Sequence, residues 1–66
     1  MHATINGEAK SFKDGSTIAA LVDALGLDTR KVAVEVNLAI LPRSLYGETP
    51  LNEGDKIEIV QFIGGG

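Results

Sequence analysis

An α+β fold, with a small mixed sheet packing one face on a single helix, is predicted by three features of the sequence. Asn6-Gly7 lies between two β-prone segments. Ile18, Leu21, Val22 and Leu25 recur at helical spacing, and "KVAVEVN" and "KIEIVQF" carry the alternation of strands. The resulting order is hairpin, helix, strand, irregular connector and final strand, a sheet of four to five strands on one main helix.

The hairpin follows from its turn. Asn-Gly is the pair best suited to the two positive φ angles of a type I′ turn, so Met1 to Ile5 pairs with Glu8 to Phe12. This register sets Ile5 opposite Glu8, Ala3 opposite Lys10 and Met1 opposite Phe12, so the second strand adds little to an apolar face and reads as an edge. The helix begins at an N-cap, Ser16 or Thr17, and Gly26 stands where a left-handed residue ends it. At about two and a half turns it is marginal alone, so its stripe must pack on a sheet. In "KVAVEVN", Val32, Val34 and Val36 point one way and Ala33, Glu35 and Asn37 the other. "LAILPRSLYGETPLNEGD", broken by Pro42 and Pro50 and closed by a Gly54-Asp55 turn, is a connector with one short strand or helical turn. The expected core joins the helix stripe to Ile5, Val34, Val36, Ile57 and Ile59.

A chain of 66 residues makes one domain, of a size that buries only about 60% of its unfolded surface. The expected division is a domain over 1–63 and a flexible glycine tail over 64–66. With 44% hydrophobic and 23% charged residues, the chain is too apolar to remain disordered. The lack of cysteine excludes disulfides, a thiolate nucleophile and sulfur metal sites, and a lone His2 builds no histidine cluster. "MHATINGEAK" has neither the basic nor the apolar region of a secretion signal, and no apolar run approaches the roughly 18 residues of a membrane span. The expectation is a cytoplasmic protein without a membrane partner. A net charge of −3 lacks the basic footprint of a nucleic-acid binder.

The last strand breaks its own alternation. Ile57 and Ile59 share one face with Glu58 opposite, but Val60 and Phe62 continue on the Glu58 face, and then "IGGG" follows. One helix covers one face of a sheet, so Val60 and Phe62, with Ala33, are expected to form an exposed apolar partner surface rimmed by Glu35 and Glu58. A twist, bulge or connector covering Phe62 is the competing arrangement. The carboxylates Asp23, Asp28, Glu35, Glu48, Glu53 and Glu58 show no catalytic pairing in the sequence. His2 reads as an exposed strand residue, Asp55 as a turn former and Arg43 as solvated or intramolecular. No intrinsic active site or metal site is expected.

"VAVEVNLAILPRS", "LNEGDKIEIVQF" and the final "GGG" together resemble the ThiS family of small sulfur carriers of thiamine biosynthesis, members of the ubiquitin-like β-grasp group, over essentially the whole chain. "GDKIEI" alone is common among β-grasp proteins; "EVN" followed by "LPRS", a "GD" hairpin and a terminal diglycine is narrower. The resemblance implies that an adenylating activating enzyme uses ATP on the carboxylate of Gly66. A sulfur-transfer system such as a cysteine desulfurase then converts it to a thiocarboxylate, and thiazole synthase takes the sulfur. Gly64 and Gly65 would enter the partner's pocket, with Val60, Phe62 and Glu58 on the docking surface and no cofactor bound by the chain itself. Two alternatives are the related small subunit of molybdopterin synthase and a non-covalent β-grasp binding module with an inert tail. Glycine suits a reactive end because backbone without side chains approaches an enzyme pocket closely, whereas on an arbitrary protein the same residues would be a frayed end.

Overall fold

The computed structural model describes residues 1–62. Its strands are β1 (His2–Ile5), β2 (Glu8–Ser11), β3 (Val32–Val36), β4 (Ala39–Leu41) and β5 (Lys56–Gln61), and its α-helix is α1 (Ile18–Ala24). They form one five-stranded mixed sheet in the order β2-β1-β5-β3-β4, a β-grasp arrangement. The first hairpin has the expected turn, with Asn6 at φ 50° and Gly7 at φ 85°, and the expected register from Ile5↔Glu8 to Ala3↔Lys10. Met1 and Phe12 lie just outside the strands but still exchange backbone hydrogen bonds. β2 is an edge strand, and β5 runs parallel to β1 and antiparallel to β3.

Thr17 caps α1, its hydroxyl accepting from Ala20 N–H at 3.2 Å. Ile18, Leu21 and Val22 are buried against Ile5, Val32, Val34, Ile57 and Ile59. Each such side chain contributes about 1.5–3 kcal/mol through burial. Leu25, expected to complete the stripe, is instead 39% exposed. The helix stops one residue before it, where Gly26 at φ 76° lets its N–H bond Asp23 C=O and the Leu27 N–H bond Val22 C=O. That is a Schellman motif, which turns Leu27 back onto the core in place of Leu25.

The connector does more than join strands. Thr29–Lys31 and Arg43–Leu45 form single 3₁₀ turns. The buried Tyr46 and Leu51 seal the core, the Tyr46 hydroxyl donating to Val32 C=O at 3.4 Å. Between β3 and β4 lies a second two-residue turn, Asn37-Leu38, with φ angles of 52° and 72°. Nothing in that dipeptide except the asparagine announces a turn.

Both turn asparagines bind β5. Asn6 Oδ1 accepts from Ile59 N–H at 2.7 Å and its amide donates to Ile59 C=O at 3.2 Å. Asn37 Oδ1 accepts from Lys56 N–H and its amide donates to Asp55 Oδ1, each at 2.9 Å. Asp55 is buried and forms the expected turn, its other oxygen accepting from Asn52 N–H at 2.9 Å. β5 is therefore held from both sides by side-chain amides that extend the sheet's own pairing pattern.

Candidate functional site

The helix covers one face of the sheet; the other face carries the candidate site. On β5 the residues between the buried Ile57 and Ile59 point outward, and the register sets their neighbours: Glu58 opposite Glu35, and Val60 opposite Ala33. Glu35 also faces Ile40 of β4. Beyond the strand, Phe62 N–H donates to Lys31 C=O at 2.8 Å, so the ladder runs one residue further and the alternation sets Lys31 beside Phe62. The open face thus carries three rows across the strands: Ile40, Glu35 and Glu58; Ala33 and Val60; Lys31 and Phe62.

Val60 is 62% exposed, Phe62 44% and Ile40 78%. Phe62 is exposed rather than taken into the core. Like charges directly opposite on a sheet disfavour one another. Glu35 and Glu58 make no ion pair among the described residues, so an arriving cation would stabilise both. Ile40 and Lys31 join this surface through strand register. Ile40 belongs to β4, within the stretch that the sequence presents as an irregular connector, while Lys31 shares the Glu35 face by simple alternation.

The other singled-out residues are placed without chemistry. His2 is exposed, its Nδ1 3.6 Å from Glu53 Oε2. Arg43 Nε donates to Thr29 C=O at 3.0 Å. Asp28 accepts from the Arg30 side chain at 3.1 and 3.0 Å and from Arg30 N–H at 2.8 Å. These bonds, side chain first, lower its pKa to about 2, and the carboxylate in return raises that of Arg30. Among the described residues no cluster of histidine and carboxylate side chains is suited to a metal ion, and no helix is long and apolar enough to cross a membrane. Gly64, Gly65 and Gly66 lie outside the described residues.

A five-stranded mixed sheet with one face covered by a single helix and the other open defines the class of small β-grasp domains. Within it, the ThiS family model matches residues 3–66, and the chain belongs to that family. It is 41% identical over 63 residues to the sulfur carrier protein ThiS of Bacillus subtilis, covering 94% of this chain and 96% of that one. The crystal structure of the thiamine biosynthesis protein ThiS from Geobacter metallireducens superposes with a TM-score of 0.83 at 30% identity, covering both chains fully. The thiazole synthase of Paramagnetospirillum magneticum is 54% identical over all 66 residues, which span 20% of that protein's length. The chain thus spans about a fifth of the relatives that bear the thiazole synthase name.

Proposed function

We propose that this protein is a sulfur carrier of thiamine biosynthesis, a co-substrate of its partner enzymes whose working group is the Gly66 carboxylate. The observation that supports this most is the ThiS family match through residue 66, which takes in all three glycines. A carboxylate resists displacement of its oxygen, so activation comes first. A Gly66 oxygen attacks the α-phosphorus of ATP, the α–β phosphoanhydride breaks, and pyrophosphate leaves. A sulfide-level nucleophile from a sulfur-transfer system then attacks the acyl carbon, AMP leaves with the bonding electron pair, and the thiocarboxylate results. Thiazole synthase is the proposed acceptor, a reading supported by relatives of that name that contain a stretch similar to this chain. The domain division follows the same logic, residues 1–63 for docking and 64–66 for delivery, in the cytoplasm where ATP is abundant.

Docking is assigned to the open face. Val60 and Phe62 supply apolar area next to the point where the strand hands on to the tail, and Glu58 with Glu35 offers acceptors to a partner arginine or lysine. The chain itself holds no cofactor in this scheme; ATP belongs to the activating enzyme.

Intact-mass measurement after incubation with the activating enzyme, ATP and the sulfur-transfer components tests the proposal. The expected mass gain is the difference between one sulfur and one oxygen atom. A variant carrying one alanine after Gly66, verified as unprocessed, is expected to fold and dock but to accept no sulfur. Normal thiazole formation by that variant would overturn the reading in favour of an inert tail. Phe62→Asp is expected to weaken docking while leaving the fold intact.

A further inference from the structure

We propose that Lys31 and Arg43 form a cationic collar at the root of the tail, which steers the carrier tail-first onto an acidic pocket mouth of the nucleotide-loaded activating enzyme. This rests on the sulfur-carrier reading. Three of the chain's six cations, Arg30, Lys31 and Arg43, gather there, because Phe62 N–H is bound to Lys31 C=O and Arg43 Nε to Thr29 C=O two residues away. Arg30 is neutralised locally by Asp28, whose two oxygens accept from Nε and from one terminal amino nitrogen of its guanidinium. Lys31 and Arg43 are exposed and make no ion pair among the described residues. The Arg43 side chain donates only through Nε among those residues, so both its terminal amino groups stay available for a forked contact with a carboxylate.

The charge is segregated. Residues 28–31 with Arg43 carry three cations and one carboxylate, a net +2, so the remainder of a chain of net charge −3 carries −5. The far end of the sheet holds Asp14, Glu53 and Asp55 beside the starts of β1 and β5. An acidic protein that delivers one more carboxylate to a pocket already holding a polyanionic nucleotide is repelled on average. A positive leading end turns that repulsion into orientation. Such steering raises association rates by roughly tenfold or more and weakens steeply with ionic strength.

ATP–pyrophosphate exchange by the activating enzyme tests this on Lys31→Glu, Arg43→Gln, the Lys31→Glu/Arg43→Gln double variant and Lys13→Glu, whose site follows β2 at the far end of the sheet. The double variant is expected to lose roughly tenfold in kcat/KM at low salt with kcat nearly unchanged, and the gap is expected to narrow as salt rises. Lys13→Glu is expected to stay within about twofold of wild type. Wild-type kcat/KM that does not fall with salt overturns the collar, whether or not every variant folds. So does a folded double variant with wild-type kcat/KM, or one defective only in handing sulfur to thiazole synthase. Absence of any exchange with wild type overturns the sulfur-carrier reading and the collar with it, whereas exchange insensitive to both substitutions and salt overturns the collar alone.

Discussion

Two turns of this molecule have the same geometry and different residues. Asn6-Gly7 and Asn37-Leu38 both close two-residue hairpins with two positive φ angles, and in both the asparagine pins β5 through its side-chain amide. At the second position the first turn has glycine, which is free of strain there, and the second has Leu38, 76% exposed, in a conformation that costs an L-residue roughly 1–2 kcal/mol. The asparagine is therefore the structural requirement, and the residue after it only sets how much strain the turn carries. The second turn persists because Asn37 and the buried Asp55 over-determine it.

The largest effect is expected from removing the clamps while keeping the turns. Glycine accepts both φ angles, so Asn37→Gly and Asn6→Gly isolate the side-chain bonds. Asn37→Gly leaves a buried carboxylate short of one donor and is expected to cost about 2–3 kcal/mol in denaturant unfolding; Asn6→Gly, which leaves only peptide groups unpaired, about 1–2 kcal/mol. Equal costs, or the reverse order, would remove Asp55 from the explanation.

Exchanging the second positions comes next. No other group lies within 4 Å of a Cβ built at Gly7, so Gly7→Ala meets conformational strain alone and is expected to cost about 1–2 kcal/mol. Leu38→Gly relieves the same strain but adds glycine's unfolded-state freedom, for a net gain of about 0.5 kcal/mol in thermal unfolding. Destabilisation by Leu38→Gly would mean that the leucine makes a contact worth more than its strain.

The smallest effect belongs to Asp28, a capping side chain with no buried partner. Its pKa is depressed, so its contribution to stability is fully present above its ordinary value of 3.8 and is lost as pH falls towards about 2. In Arg30→Ala the carboxyl titration followed by NMR is expected to move part of the way back towards 3.8, because the backbone N–H of residue 30 still donates. An unmoved midpoint would exclude the guanidinium as the principal cause.

The contrast between the turns also explains what was legible in the sequence. Asn6-Gly7 carries its conformation in its residue types, so the first hairpin and its register were readable. Leu38 carries none, so the β3–β4 hairpin, and with it Ile40, vanished into the connector. Leu25 was misplaced because helical spacing counts positions and ignores the reversal at Gly26 that substitutes Leu27. Tyr46 and Leu51 reach the core from a segment without periodicity. The open face was half visible: the broken alternation of the last strand pointed to Val60, Phe62 and Glu58, while the nearness of Arg43 to Lys31 depends on a long-range bond to Thr29.

β5 is the last strand in sequence among the described residues and sits between β1 and β3 in the sheet. A nascent polypeptide therefore has two hairpins with nothing between them until β5 arrives, and the pairing of β1 with β5 joins residues about fifty positions apart, Thr4 with Lys56. Contacts of that separation form slowly, because loop closure precedes any gain from packing. Folding is thus deferred until translation has passed Gln61, and a prematurely terminated product has exposed apolar strands for proteases instead of a closed sheet.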